Sequence, residues 1–534
     1  MLYASERFSD EEAAILRPYF TNLDGPVFAL VNLPEVVKGA LFARYSRSDK
    51  SLRRLFLDEF VPDLDLTGDL TVDAGAGLAR AEQLYDKVFL EYGDDSVAQL
   101  GGTHLACEQA SNLLTKVLEW GRLMAYLEQS TRYIHYDSRL GGRYRYWRPP
   151  AIMEGPLGTR YVADMDAIFD AYAAALPALT DWARERYPKE PGDSDFVYKQ
   201  TIKAKACDAA RGMLPAATLS NVGIYGTGQA YEALLLRMRA HALPEARTYS
   251  QLMLEELRKA IPSFLSRVDR PDRGVQWSEY MRSTRESTEA VVRRLFGQET
   301  TEPSESVTLT DFDPDGELKV VAAIVYGATD LSDEQILRKV RALGVDDRRA
   351  ILDAYVGDRH NRRHRPGRAF ERTDYRFDIT CDYGAFRDLQ RHRMLTIEWQ
   401  RLTPKHGYDI PEPIDEAGLT PQYREVMERS ALLHDTLSLR HPEDASYAVS
   451  LGYRIRFAMQ MNAREAMHLL ELRTSPQGHA SYRVICQEMH RQIASVAGHH
   501  ALAQTMSFVD HEVYELERLA AERAAEERRV RAQA

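Results

Sequence analysis

Three basic side chains stand in a row at Arg391, His392 and Arg393, and the segment leading to them carries another, Arg387. Two guanidiniums and an imidazole within one turn repel one another unless an anion joins them, and guanidinium forks match phosphate oxygens. The competing reading is an exposed basic turn paired with surface acids, and residue types alone leave both open. A second basic run, RHNRRHRPGR from Arg359 to Arg368, adds arginines to a chain that is acidic as a whole. Within it His360 and His364 have the spacing of metal ligands. The flanking positive charge opposes a cation and Pro366 disfavours a long helix, so an anion-facing or solvated loop is expected, and no metal site.

Two further sets complete the inventory. Asn462 and Arg473 lie eleven positions apart with His468 between them, which on a helix puts them on one face about 16 Å long. A polar stripe in AMQMNAREAMHLLELR fits a helix lining a polar cavity, and equally an ordinary amphipathic helix. Glu128, Gln129, Ser130, Thr131 and Arg132 offer a carboxylate, two hydroxyls and a guanidinium, enough to hold a nucleotide phosphate and polarise a uracil-like base. Hydroxyls at that point also simply terminate helices.

The elements that must position these residues can be read from pattern. The chain has 534 residues, 44% hydrophobic and 28% charged, the balance of a soluble globular protein. Its 69 Lys+Arg against 80 Asp+Glu give a net charge of −11, which argues against a general binder of nucleic acid or acidic membranes. Four dispersed cysteines (Cys107, Cys207, Cys381, Cys486) without a secretory segment predict reduced thiols in the cytoplasm, and no apolar run is long enough to span a bilayer. The polar stretch Gly297 to Ser306 reads as a linker. Before it, Ala79 to Tyr92, Gln99 to Gln129, Tyr161 to Tyr187 and Gly228 to Leu265 have helical spacing, so the first part is expected to be mostly α. After it, Leu318 to Ala328 reads as a buried strand, Asp374 to Asp382 as a half-exposed strand, and the chain from Pro421 as long helices. The final Glu512 to Ala534 alternates charges and alanine as a solvated helix or tail does.

The two halves also resemble each other. KVLEWGRLMAYLEQSTRY from Lys116 parallels RDLQRHRMLTIEWQRLTP from Arg387, each followed by a Tyr/Pro segment, and ALLLRMRAHALPEARTYSQLMLEEL from Ala233 parallels AMHLLELRTSPQGHASYRVICQEM from Ala466. The same order in both halves indicates a diverged tandem duplication.

Taken together these residues resemble the flavin-dependent thymidylate synthases, whose signature is RHR, seven residues, then Ser. Arg391-His392-Arg393 match the RHR, and Glu371, twenty residues earlier, falls where the family has a flavin-contacting Glu. Asn462-Ala463-Arg464 match its NAR, Leu472-Arg473 its LR, and His479-Ala480 the start of its HAQ segment. Arg401 replaces the signature serine. In the first copy Trp120-Gly121-Arg122 replaces RHR, yet Ser130 stands at the serine position, EQSTRY (Glu128 to Tyr133) resembles the nucleotide loop, Gly228-Gln229-Ala230 takes the place of NAR, and Arg239 can stand for the LR arginine.

The resemblance implies an α+β fold of two related domains, 1–296 and 307–511, each a mixed sheet with long helices, joined by a linker at 297–306 and followed by a charged segment at 512–534. It implies reductive methylation of dUMP to dTMP with FAD as carrier and methylenetetrahydrofolate and NADPH as co-substrates, in a homodimer mimicking the family's tetramer. Flavin binding would fall to Glu371, Arg391, His392, Arg393, Asn462, His468 and His479. Substrate binding would fall to Glu128, Ser130, Thr131, Arg132, Arg239 and Arg473, with Ser130 and Arg473 closest to the chemistry. Two complementary, half-degenerate copies could then make composite sites. Two other classes compete: a catalytically inactive flavin- or nucleotide-binding homologue, and a structural or regulatory partner acting through its acidic C-terminal helix.

Overall fold

Four strands form in the first half of the chain: β1 (Val27–Leu30), β2 (Gly102–Ser111), β3 (Met124–Glu128) and β4 (Leu219–Thr227), hydrogen-bonded in the order β1-β2-β4-β3. The second half repeats them as β5 (Val307–Phe312), β6 (Asp374–Asp382), β7 (Thr396–Trp399) and β8 (Arg454–Asn462), in the order β5-β6-β8-β7. This computed structural model describes all residues except 1–2, 4–5, 34–36, 39–40, 43–44, 46–47, 62–100, 133, 192, 517–518, 520–522 and 524–534. The fold is α+β with two related domains, and the repeat extends to register. Val27 pairs with Cys107 as Val307 pairs with Ile379, and Ala125 pairs with Tyr225 as Thr396 pairs with Gln460.

Every strand pairing among the described residues is antiparallel, so the sheets are not the mixed sheets expected. Alternating burial along β6 and β8 explains the arrangement. Tyr375, Phe377, Ile379 and Cys381 face one side and sit opposite Met461, Met459, Phe457 and Ile455, which are also buried. One apolar face with a more polar reverse is the pattern of an antiparallel sheet covered on one side.

Besides the short helices Asp10–Leu16, Leu52–Leu55 and Pro150–Met153, the first half has α1 (Asn112–Leu118), α2 (Gly158–Arg186), α3 (Asp195–Ala210), α4 (Gly228–Ala240), α5 (Pro244–Leu257) and α6 (Gly274–Phe296) among its described residues. In the second half the ones that matter are α7 (Gly316–Tyr326), α8 (Tyr383–Leu389), α9 (Thr420–Ser438), α10 (Ala463–Arg473) and α11 (Ala480–Ser495). The helix expected over Gln99 to Gln129 is instead β2, α1 and β3. Ser111 starts α1 by accepting from the Leu114 N–H, and β2 is held between β1 and β4, so tertiary pairing overrides a weak helical pattern. Helix still outweighs strand in the first half, as expected, but it is built on a four-stranded sheet. Leu318 to Ala328, expected as a strand, lies largely in α7: Leu318, Val321, Ala322 and Val325 recur at helical spacing and pack on Ile336 and Val340. The helical pattern of Ala79 to Tyr92 lies outside the described residues. No helix among those described is long and apolar enough to cross a membrane.

The chain divides into two compact units, and neither is a contiguous half. Unit 1 comprises residues 1–173, 214–301 and 428–449; unit 2 comprises 174–213, 302–427 and 450–534. One unit boundary falls in the expected linker, but each unit also takes a segment lying between the third and fourth strands of the other half. Periodicity reports which face of a helix is apolar, not which neighbour covers it, so this exchange leaves no trace in the sequence pattern.

Candidate active site

The RHR segment is built by the end of α8. Asp382 caps this helix, its carboxylate accepting from the Ala385 N–H at 2.8 Å, and the last helical bond runs from the Gln390 N–H to the Phe386 carbonyl. Arg391, His392 and Arg393 then turn towards β7, with His392 buried, Arg393 half-buried and Arg391 exposed. His392 is clamped from α10. Its Nε2 accepts from Arg473 Nε at 3.0 Å, and its Nδ1 lies 3.1 Å from Glu465 Oε1. A nitrogen that accepts from a guanidinium carries no proton, so the ring is the neutral Nδ1–H tautomer donating to the carboxylate.

The charge balance follows from burial and crowding. Burial, then Arg473, His468, Arg365 and Arg393, hold His392 well below the usual imidazole range. His468, whose ring lies 5.4 Å from that of His392, is pushed down to about 4 by burial and by Arg365, Arg362 and Arg473. Burial raises Glu465 to about 7 against the pull of Arg365 and Arg464. Near neutral pH the imidazoles are uncharged and the positive field comes from arginines alone. Ligand atoms of His392, Glu465 and His468 lie within 4.8 Å of one another, the geometry of a three-ligand metal site. Both ring nitrogens of His392 are already engaged, and the surrounding guanidiniums repel a cation. The cluster suits an anion.

A cavity of about 340 Å³ lies in the same unit. Its walls include Trp182, Tyr187 and Tyr423, with Arg211, Asp382 and His479 among the polar groups. Arg211 comes from the exchanged segment 174–213 and is 5% exposed; its Nη2 makes no hydrogen bond. Its guanidinium stands 3.6 Å from Asp388 and 3.9 Å from Asp382, and Asp388 is in turn 3.4 Å from Arg391. Cavity and RHR turn are thus joined through one carboxylate. Space for the guanidinium depends on Gly384, where a Cβ would stand 3.1 Å from the Arg211 Cζ and Nε; Gly212 instead admits Tyr423, whose hydroxyl would lie 2.7 Å from a Cβ there. Ser481 donates to Asp382 across the wall, and Val513, Tyr514 and Glu515 form part of the rim. The walls also carry Asp208, Asp409, Glu412, Glu416 and Glu515 beside Asp382, against Arg186, Lys205 and Arg211, so the aromatic faces suit a small planar ligand and the buried Arg211 end alone favours an anionic group.

Unit 2 brings together Arg391, His392, Arg393, His468 and Arg473. Asn462 instead caps α10, accepting from the Glu465 N–H at 2.9 Å, and Glu371 pairs with Arg368 at 3.0 Å and Arg464 at 3.4 Å. His479 caps α11 and lines the cavity. The loop His360 to His364 is exposed apart from partly shielded Arg362, while Arg359 makes a buried pair with Glu471 at 2.6 Å.

The remaining expected residues belong to unit 1. Glu128 ends β3, not a helix, and is buried against Lys116 Nζ at 3.1 Å, a lysine that also binds Glu119 at 2.6 Å. Thr131 is buried, Ser130 Oγ accepts from the Arg132 N–H at 3.3 Å, and Arg239 is half-buried on α4. Tyr133 lies outside the described residues. Arg237 stands 5.8 Å from the Trp120 ring, so it, two residues before Arg239, approaches the Trp120-Gly121 turn as Arg473 approaches His392. The cap of α4 is Thr227, which aligns Thr227-Gly228-Gln229 with Asn462-Ala463-Arg464, one residue earlier than the spacing suggested.

Sequence reasoning missed Arg211, Asp388, Glu465 and Ser481. Arg211 carried a signal: in CDAARGMLP it is a lone cation in an apolar stretch beside glycine, where a solvated face would show several polar residues.

The thymidylate synthase complementing protein family model matches residues 53–263 and again 308–498, and the chain belongs to this family. A UPF0159 protein of Chlamydia muridarum is 39% identical over 525 residues, covering 97% of this chain and 98% of that one. The UPF0159 protein Ta1429 of Thermoplasma acidophilum is 32% identical over 513 residues, covering 91% and 97%. Among solved structures, a UMP/dUMP methylase, PolB from Streptomyces cacaoi bound with 5-Br dUMP, is similar with a TM-score of 0.29 at 19% identity, over 37% of this chain and 94% of that one.

Proposed function

We propose that this protein is a flavin-dependent thymidylate synthase that methylates dUMP to dTMP, using FAD, NADPH and methylenetetrahydrofolate. The observation that carries the reading is the coupling, through Asp388, of the cavity holding Arg211 to the RHR turn of the second copy. The donor set fits the flavin's diphosphate: Arg391 and Arg393 with Arg365 nearby, around an imidazole that Arg473 and Glu465 hold in place and that is kept neutral so that it orients without adding charge. Bound there, the flavin would supply the hydride and one-carbon transfer chemistry that no side chain provides.

The chain's own share is binding and polarisation. Arg211 would hold the nucleotide phosphate in a site where burial strengthens each charge-assisted bond, and the Tyr and Trp walls would take the uracil face. Arg473 would favour negative charge developing on the base as its C5 becomes nucleophilic. Ser130 and Arg132 are proposed to contact the nucleotide as well, and Arg132→Ala should weaken dUMP binding about tenfold while leaving flavin content unchanged. A homodimer is expected in solution, with sedimentation as its test.

The decisive experiment is flavin absorbance of the purified chain followed by tritium release from C5-labelled dUMP with NADPH and methylenetetrahydrofolate. Flavin together with dUMP-dependent release supports the synthase. Arg401, exposed at the place of the signature serine, favours a second reading, an inactive flavin- and nucleotide-binding homologue. Flavin and dUMP binding without release would select it.

A further inference from the structure

The two units carry the same backbone at the site and opposite side chains. In unit 2 the Gly452 N–H bonds the Gly212 carbonyl at 2.8 Å; in unit 1 the Ala217 N–H bonds the Tyr447 carbonyl at 3.0 Å. This shared bond makes Tyr447 the counterpart of Gly212 and Ser446 the counterpart of Arg211. Asp382 and Ser111 are likewise counterparts, each capping the helix that leads to the RHR or Trp-Gly-Arg turn. Ser481 and Glu245 are both second residues of the helices facing those caps. The pair is reversed between units: Ser481 donates to Asp382 in one, and Ser111 donates to Glu245 at 2.5 Å in the other.

The reversal has a consequence for space. The Tyr447 hydroxyl donates to Glu245 at 2.6 Å, and the Ser111 N–H to the same carboxylate at 2.9 Å. Tyr447 and Ser111 are 0% exposed and Glu245 is 1% exposed. In unit 1 Tyr447 stands in place of the glycine and closes on Glu245 with no exposed surface, whereas the Asp382 and Ser481 pair of unit 2 is only half-buried, and the cation of Arg211 has no counterpart at Ser446.

We propose that the duplicated chain has one nucleotide site, in unit 2, and that its counterpart in unit 1 is a sealed, purely structural pseudo-site closed by Tyr447 and Glu245. The ligand rests on the functional reading above; the sealing rests on geometry alone.

Matched serine-to-cysteine variants of the full chain separate the two, because all four native cysteines are buried and give a low background. Ser481→Cys should react readily with a maleimide, and saturating dUMP should protect it. Ser111→Cys should react at least about a hundredfold more slowly, since reaction there requires local opening, and dUMP should not change its rate. Equal rates for the two variants would overturn the sealing. Fast labelling of Ser481→Cys without protection by dUMP would leave the sealing intact and remove the nucleotide. Calorimetric titration of the unmodified chain should give one dUMP per chain, and two would refute the single site. Hydrogen exchange on the unmodified chain covers any variant that fails to fold: dUMP should slow exchange around Asp382 and leave the slow amides around Ser111 unchanged, whereas slowing around both would contradict the proposal.

Discussion

Unit 1 and unit 2 agree in strand order and register while differing at the positions that make the RHR turn and the buried cation of unit 2. Trp120 and Gly121 stand where Arg391 and His392 stand, and Tyr447 where Gly212 stands. Register is fixed by rows of buried side chains on one face of each sheet, where a one-residue slip would turn every one of them to the wrong side. Residues at helix ends and turns are not bound by that condition and can change singly. The lesson is that duplication conserves the scaffold through packing and frees the sites to diverge.

Paired substitutions test how far that division goes. The largest effect is expected from Arg391→Ala with His392→Ala in unit 2: loss of one charge-assisted donor at about 1.5 to 3 kcal/mol, together with the ring that orients Arg473, should lower flavin affinity by about a hundredfold, whereas Trp120→Ala in unit 1 should leave flavin content unchanged. Full flavin occupancy in the double variant would dissolve the contrast. Next comes Arg211→Ala, expected to weaken dUMP binding about ten- to a hundredfold by calorimetry, against no change for Ser446→Ala.

A third pair exchanges function for stability. Glu245→Ala strands the donors of Ser111 and Tyr447 in the core and should lower unfolding free energy by about 3 kcal/mol; Ser481→Ala, at the half-buried counterpart, should cost about 1 kcal/mol. Urea midpoints would decide, and equal losses would mean that both pairs are structural.

The smallest effect concerns pH. Burial holds Glu245 and Glu465 each up at about 7, above the ordinary carboxylate value. A raised carboxyl contributes stability that is fully present below the unfolded value and is lost as pH rises through about 7. Urea midpoints should therefore fall between about pH 5 and 8, and Glu245→Gln or Glu465→Gln should each flatten part of that fall. Only Glu465 stands beside the RHR cluster. Its ionisation adds a negative charge there, so flavin affinity should drop severalfold over the same range in the wild type and in Glu245→Gln, but not in Glu465→Gln.

Much of the frame was legible before any coordinates. The aligned segments at Lys116 and Arg387 become α1–β3 and α8–β7. The RHR turn, His468 and Arg473 do meet at His392, while Asn462, expected on the same face as Arg473, caps α10 instead. What escaped was everything set by partners distant in sequence. Leu318 to Ala328 is apolar enough for either element, and only packing on Ile336 and Val340 makes it helical. Glu128 reads as a free carboxylate until Lys116 is found against it. Arg211 could not be assigned to the RHR site, since nothing local indicates that a segment of the first half completes a unit of the second.

That exchange of segments sets a schedule for biosynthesis. Unit 1 begins at the N-terminus but needs residues 428–449, so it stays incomplete on the ribosome until most of the chain has emerged. Unit 2 needs residues 174–213, synthesised long before its own sheet. Neither half can therefore finish folding as an independent early product, and long-range closure of this kind is slow and leaves apolar surface uncovered meanwhile. A gene split at the linker would yield two fragments that each lack a piece held by the other, soluble only when made together.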